Sequence, residues 1–168
     1  EAIASYKRAI ELKPSYAKAH MNLSNMLIAR NRLEEAEINC KKSIELKPDF
    51  AEAYNTLGVI AQKLNRFEEA EKSYTKAIEL KADFTEAYCN LGSLMSDLER
   101  LDEALVNCNK AIEIANFFKD SNKVVKNNNP DLETNKTQIH RRNKIDLGCK
   151  RHKQLFQESN IIANACFS

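Results

Sequence analysis

The feature that most constrains the fold of this chain is an internal repeat of 34 residues. Residues 17–50, 51–84 and 85–118 align with one another without a gap, and residues 1–16 match the second half of the same unit. Periods of about 20–50 residues indicate stacked repeats, in which each unit buries its apolar surface against its neighbours. We therefore expect a row of similar units and not one central core.

Each unit contains two segments with helical periodicity. In the middle unit the first segment covers residues 51–64, where Leu57, Ile60 and Leu64 recur at three- and four-residue spacing and share one face. The second segment covers residues 67–80, and the two residues between the segments form a short turn. The spacing therefore predicts a helix-turn-helix unit.

Helix-breaking residues are rare and stand where the second helices should end. The chain has three Gly and three Pro, and 43% of its 168 residues are apolar, which is typical of a packed helical protein. Pro14 and Pro48 follow the second helices of their units, and proline cannot continue a helix because it lacks the N–H group. Ala82 and Asn116 stand at the equivalent positions. We expect the helix ends there to be less sharply defined.

The repeated pattern resembles the tetratricopeptide repeat (TPR), which carries Leu, Gly, Ala and an aromatic residue at fixed positions. The equivalent residues here are Leu23, Leu57 and Leu91; Ser24, Gly58 and Gly92; Ala36, Ala70 and Ala104; and Cys40, Tyr74 and Cys108. The resemblance covers residues 1–118, with the second helix of a truncated unit at 1–16. It implies an all-α fold, an α-solenoid of helix-turn-helix repeats that winds as a right-handed superhelix. It also implies that the first helix of each unit lines a concave groove that binds a protein or peptide.

The resemblance further implies which side chains face the groove, namely six positions in each first helix. The expected groove residues of the first unit are Lys18, Met21, Asn22, Asn25, Ile28 and Ala29. Those of the second unit are Glu52, Asn55, Thr56, Val59, Gln62 and Lys63, and those of the third are Glu86, Cys89, Asn90, Ser93, Ser96 and Asp97. Many are amides, and an amide can pair with both polar groups of a peptide bond because it donates and accepts.

Two known modes of ligand binding in the family can be compared with these residues. The amides are similar to the asparagine ladder in the TPR arm of O-linked N-acetylglucosamine transferases, with Asn22 and Asn90 at the ladder position and Thr56 interrupting it. Chaperone-binding members instead hold a terminal carboxylate with a clamp that includes cations. The clamp positions for cations carry none here, which disfavours that role, since they hold Met21, Asn25, Asn55, Val59, Cys89 and Ser93.

The charges and motifs favour a binding protein over an enzyme. The groove runs from a basic end at Lys18 to an acidic end at Glu86 and Asp97, which would orient a partner. No Gly-rich phosphate loop, HExxH or GxSxG motif occurs, and His20 stands at a core position of the repeat. We predict a non-enzymatic scaffold, without a cofactor, that binds an extended peptide or a partner helix. The alternative is the substrate-recruiting arm of a larger glycosyltransferase or sulfotransferase.

The C-terminal part departs from the repeat in charge and in period. Residues 1–118 hold 16 Lys and Arg against 19 Asp and Glu, whereas residues 119–168 hold 10 against 5. We predict a linker at 119–138 and a basic, partly helical segment at 139–168, which either caps the last repeat or opens a truncated domain. The zinc-ligand types Cys149, His152 and Cys166 are a weaker candidate, because only three are present. Nucleic acid is a disfavoured partner, because no aromatic platform accompanies the basic cluster.

The remaining sequence features concern the cellular compartment and the extent of the chain. Five cysteines, an odd number and mostly inside helical patterns, indicate reduced thiols and a cytoplasmic location. No apolar run approaches the roughly 18 residues that cross a bilayer, so a membrane is not expected as a partner. The chain begins with Glu1 in the middle of a repeat, and we expect it to be a fragment. The sequence gives no indication of oligomeric state.

Overall fold

The computed structural model describes residues 2–128, which form seven α-helices and no strand. Residues 2–16 contribute α1, and each repeat contributes a helix pair. The helices are α1 (Ala2–Leu12), α2 (Ala17–Ile28), α3 (Leu33–Leu46), α4 (Ala51–Lys63), α5 (Phe67–Leu80), α6 (Thr85–Asp97) and α7 (Leu101–Asn128). The prediction of an all-α protein built from helix-turn-helix repeats is confirmed.

The turn inside each repeat is made by main-chain hydrogen bonds around one left-handed residue. Asn31, Asn65 and Glu99 have φ angles of 57°, 57° and 59° at equivalent positions. The next residue donates its N–H to a carbonyl five residues earlier, in the bonds Arg32 to Leu27, Arg66 to Ala61 and Arg100 to Met95. This is the Schellman geometry, in which a left-handed residue ends a helix and satisfies its last carbonyls.

Glu99 is the residue whose type fits this turn least well. Asparagine tolerates the left-handed region better than glutamate, because its short polar side chain can bond locally. We expect Glu99→Asn to raise the free energy of unfolding by about 0.5–1 kcal/mol, and Asn65→Glu to lower it by a similar amount. Urea denaturation of both variants checks this pair of changes. Equal midpoints for the two would contradict the assignment of strain to Glu99.

The ends of the second helices differ from expectation in two respects. α5 ends at Leu80 as sharply as α3 ends at Leu46, although Ala82 replaces the proline. The reason is that Lys47 and Lys81 share a φ of −146°, so the chain turns out of the helix before the proline position. The expectation of a blurred boundary at Ala82 was therefore wrong.

The last helix extends well past the end of the repeat. α7 continues to Asn128, so the first part of the expected linker at 119–138 is helical. No Gly or Pro occurs between residues 101 and 128, and the first proline after the repeat is Pro130. With no breaker, the helix propagates through the position of Asn116. The rest of the linker and the segment 139–168 lie outside the described residues.

The chain divides into two compact parts, of which the first is Glu1–Ala82 and the second begins at Asp83. We call these parts the first unit and the second unit, and we call the 34-residue copies repeats. In the first unit a cluster of buried residues ties three helices together, with Leu23 and Leu27 from α2, Cys40 from α3 and Ile60 from α4. Residues of α1 pack against the same cluster. A helix pair cannot bury its apolar faces alone, and this shared cluster shows that neighbouring repeats of the first unit stabilise each other.

Small polar side chains join neighbouring helices of the first unit to each other's carbonyls. The Ser24 hydroxyl donates to the carbonyl of Ala36 at 2.8 Å, and the Ser43 hydroxyl donates to that of Ala17 at 2.9 Å. The Cys40 thiol donates to the carbonyl of Ala53 at 3.0 Å. These bonds connect α2 with α3 and α3 with α4, so they hold the helices in one axial register.

The second unit contains a helix pair that packs through the same repeat positions. Leu91, Leu94 and Met95 are buried on α6, and Ala104 and Cys108 are buried on α7. Gly92 faces Cys108, because a Cβ added to Gly92 would lie 2.8 Å from the Cys108 sulfur. The absence of a side chain at Gly92 therefore permits the close approach of the two helices.

Candidate functional site

The expected groove residues of the first unit lie mostly on an accessible face of α2 and α4. Lys18, Asn25 and Glu52 are exposed, while Asn22 and Gln62 are partly buried. Of the remaining residues, Ala29 and Lys63 are exposed, and Ile28 and Val59 are partly buried. We call the Lys18, Asn22 and Asn25 side chains the α2 stripe, because their spacing places them on one side of α2.

Three expected groove residues are instead buried, which corrects their predicted exposure. Met21 is 8% exposed and packs against Phe50 and Ala53, so it fills the space between α2 and the start of α4. Asn55 and Thr56 are 4% and 7% exposed. The repeat pattern indicates which side of the helix a position is on, but the packing of neighbouring helices decides how deep the side chain lies.

The second unit carries an equivalent row of residues on α6. Glu86 and Asp97 are exposed, and Cys89, Asn90, Ser93 and Ser96 are partly buried. The acidic residues Glu86 and Asp97 lie near the two ends of this helix. As on α2, the amide at the ladder position, Asn90, is partly buried.

The cysteines differ from expectation at one position. Cys40 and Cys108 are buried free thiols, whereas Cys89 is disulfide-bonded. The expectation of reduced cysteines was therefore wrong for Cys89. Cys89 is partly exposed, whereas Cys40 and Cys108 are buried.

One hydrogen bond links the first helices of two repeats inside the first unit. The hydroxyl of Thr56 on α4 donates to Oδ1 of Asn25 on α2 at 3.1 Å. A second amide is held in a similar way, because the Tyr74 hydroxyl donates to Oε1 of Gln62 at 2.9 Å. Both amides therefore use their oxygen atoms within the protein. Sequence reasoning missed this, because the bonds join residues on different helices.

His20 has a structural role, as its core position predicts. Its side chain is 9% exposed, with Nε2 3.2 Å from the carbonyl oxygen of Pro14 and Nδ1 3.3 Å from Oδ1 of Asn39. These contacts connect α2 with the turn that follows α1 and with α3. The imidazole is thus engaged in packing between helices.

The outer faces of the second helices carry ion pairs. Most of them join residues three apart on one helix and are exposed, so each contributes little to stability. An exception is the contact of Arg66 with Glu37 on α3, at 2.6 Å, where the carboxylate side chain is only 14% exposed. The hydrogen bonds from Arg66 lower the pKa of Glu37. This ion pair links consecutive repeats.

The described residues contain no cluster of side chains suited to a metal ion. Among residues 2–128 no group of three or more His, Cys, Asp or Glu side chains is placed to hold a metal ion. Burial raises the pKa of the Cys40 thiol to about 12, so it stays protonated and is not a nucleophile at neutral pH. The weaker zinc candidate of Cys149, His152 and Cys166 lies outside the described residues.

No helix in the described part of the chain combines the length and the apolar character that a membrane crossing requires.

Family models match the whole repeat region. Tetratricopeptide repeat models match residues 17–50, 51–84 and 85–118, and a TPR repeat model matches residues 1–25. Three of these matches coincide with the three full repeats, and the fourth covers the truncated repeat and continues into α2. Among curated proteins no match is found.

Two solved structures resemble this chain over about two thirds of its length. TTC0263, a thermophilic TPR protein of Thermus thermophilus, is 28% identical with a TM-score of 0.64, over 67% of this chain and 63% of that one. A MamA crystal structure is 26% identical with a TM-score of 0.60, over 68% of this chain and 62% of that one.

A third neighbour contains a bound peptide. The second TPR of Spaghetti (RPAP3), bound to the HSP90 peptide SRMEEVD, is 22% identical with a TM-score of 0.56, over 58% of this chain and 91% of that one. At this identity the likeness concerns the fold alone. With the repeat models covering residues 1–118 and the helix pairs following the same period, the chain belongs to the tetratricopeptide repeat family.

Proposed function

We propose that this protein is a non-enzymatic scaffold that binds an extended segment of a protein partner along the first helices of its repeats. The observation that carries this proposal is the α2 stripe, where an exposed ammonium group at Lys18 is followed by the amides of Asn22 and Asn25. Such a row offers repeated hydrogen-bond donors to a main chain, which presents one carbonyl per residue.

The chemistry of the surface narrows the ligand class. Positions that would need cations to clamp a terminal carboxylate hold neutral residues, such as Met21 and Asn25 in the first unit. The RPAP3 structure supports the general class, since a domain of this fold holds a short peptide. We therefore propose that the ligand is gripped through its main chain and that binding is not restricted to a chain terminus.

The buried state of Thr56 bears on the transferase alternative. Thr56 interrupts the row of asparagines at the ladder position, and its hydroxyl is occupied within the protein. A continuous asparagine ladder is the feature that would favour a substrate-recruiting arm. We accordingly propose the scaffold in preference to the arm.

The test uses a short peptide selected on the wild-type protein from a random library. We expect Asn22→Ala to weaken its binding by about twofold to tenfold, because one lost hydrogen bond contributes about 0.5–1.5 kcal/mol. Isothermal titration gives the affinity, and circular dichroism checks that the helical content is unchanged.

A matched control is available on the last helix. Asn116 is exposed on α7 and is not an expected groove residue, so Asn116→Ala should leave the affinity unchanged. If Asn22→Ala binds the selected peptides as tightly as the wild type does, the ligand does not use this amide and the proposed surface is wrong.

A further inference from the structure

The amide of Asn25 is held in one orientation by a residue from the next repeat. Thr56 is 7% exposed and its hydroxyl donates to Oδ1 of Asn25, whose side chain is exposed. A hydroxyl group has a single proton, and here that proton is given to the amide oxygen. The Asn25 side chain therefore cannot rotate its oxygen outward without losing this bond.

The consequence concerns which atoms a ligand would meet. An unconstrained asparagine can present either its oxygen or its NH2 group to a ligand. The bond from Thr56 uses one of the two lone pairs of the Asn25 oxygen and holds that oxygen toward α4. The NH2 group lies on the other branch of the amide, so this orientation favours Asn25 as a hydrogen-bond donor to a ligand.

We propose that Thr56 is a positioning residue that presents Asn25 as a donor, and that the ligand atom bound there is a main-chain carbonyl oxygen of the extended partner. This inference rests on the proposed function, and it specifies which polar atom of the partner is recognised. Thr56 itself does not touch the ligand.

The charges on α2 favour a carbonyl over a carboxylate as the acceptor. The cation of the α2 stripe, Lys18, lies seven residues before Asn25, which is about 10 Å along a helix. No cation of the stripe therefore stands beside Asn25 to balance a carboxylate. A neutral carbonyl oxygen can be satisfied by the amide alone.

The combination of Asn25 with Thr56 has no counterpart one repeat later. The positions that hold Asn25 and Thr56 are occupied one repeat later by Val59 and Asn90. Valine has no amide to orient, so the second pair cannot reproduce the first. The pairing is thus a specific feature of the first unit, and a substitution there tests it without disturbing a general property of the repeat.

The central experiment removes the Thr56 hydroxyl and keeps the shape of the side chain. We expect Thr56→Val to weaken the binding of the selected peptide by about threefold to tenfold, which corresponds to about one neutral hydrogen bond. Thr56→Ser should bind the peptide within about twofold of the wild-type affinity. Thr75→Val, at an exposed threonine on α5, is the matched control and should have no effect. Thermal unfolding of each variant verifies that the fold is retained.

Two further variants identify the atoms involved. Asn25→Asp keeps an acceptor for Thr56 but lacks the NH2 group, and we expect it to bind the peptide as weakly as Asn25→Ala. Replacing single amides of the peptide by esters weakens their carbonyl acceptors. One such ester should reduce affinity for the wild type but produce no additional loss with Asn25→Ala.

The outcomes separate this inference from the proposed function. Wild-type affinity in Thr56→Val, with a loss in Asn25→Ala, would overturn the positioning role, and wild-type affinity in Asn25→Asp would overturn the donor role. If Asn22→Ala leaves the affinity for the selected peptides unchanged, the proposed function fails. The ¹³Cγ chemical shift of Asn25 in the free protein then decides the orientation, since it should move in Thr56→Val but not in Thr56→Ser.

Discussion

Replacing Gly58 by alanine is expected to lower the free energy of unfolding by about 1–3 kcal/mol, although alanine is the better helix former. A Cβ at this position would lie 2.5 Å and 2.6 Å from Cε1 and Cδ1 of the Tyr74 ring. That ring is 1% exposed and its hydroxyl is bonded to Gln62, so it has no space into which to move. Urea denaturation followed by circular dichroism measures the change.

The equivalent substitution one repeat later provides the control. Gly92 faces Cys108, and a thiol is smaller than a phenol ring and can turn away. Gly92→Ala should therefore lower the free energy of unfolding by less than Gly58→Ala does, because the gain in helix propensity offsets a smaller clash. Similar losses for the two variants would show that the Tyr74 ring does not determine the requirement for glycine.

The first repeat contains a pair of side chains that does not require glycine at this position. There, Ser24 stands at the glycine position and is accommodated beside Cys40, and both side chains are fully buried. The combination Gly58→Ser with Tyr74→Cys copies that pair into the second repeat. We expect the double variant to be less destabilised than the sum of its two single changes, since residues in contact are not additive.

Leu27→Ala is expected to lower the free energy of unfolding by about 2–5 kcal/mol. Leu27 has no exposed surface and belongs to the cluster that joins α2, α3 and α4. A cavity there would weaken both repeats at once, because each depends on its neighbour. Amide hydrogen exchange should show faster opening of α2, α3 and α4 together.

An aliphatic residue on the outside of the same unit serves as the comparison. Ile38 on α3 is 69% exposed, and Ile38→Ala should change the free energy of unfolding by less than about 0.5 kcal/mol. If Leu27→Ala raised exchange in α2 alone, the idea that the repeats share one cluster would be wrong.

The fold could be predicted from the sequence because the repeat supplies the same information several times. The middle repeat predicts a second helix over 67–80, and α5 spans Phe67–Leu80. The exceptions fall where the repeat stops or a marker residue is replaced. α7 passes residue 118 because nothing in its sequence breaks a helix, and the end of α5 is set by Lys81 and not by a proline.

The candidate site could be predicted only in part. Spacing along a helix indicates that Lys18, Asn22 and Asn25 share a side, and Lys18 and Asn25 are indeed exposed. The burial of Met21 depends on Phe50, which lies just before α4, and the bond between Asn25 and Thr56 spans 31 residues. Periodicity within one helix contains no information about the distance to the next, so neither contact could be inferred before the structure.

The main-chain turns at Asn31, Asn65 and Glu99 have a consequence for how a duplicated sequence diverges. Their hydrogen bonds join backbone atoms, so most of the turn's side chains are not needed to keep its shape. The residue that takes the positive φ can therefore differ between copies, as Glu99 in place of asparagine shows. The residue after it does not differ, since it is arginine in all three copies and pairs with a glutamate three residues later.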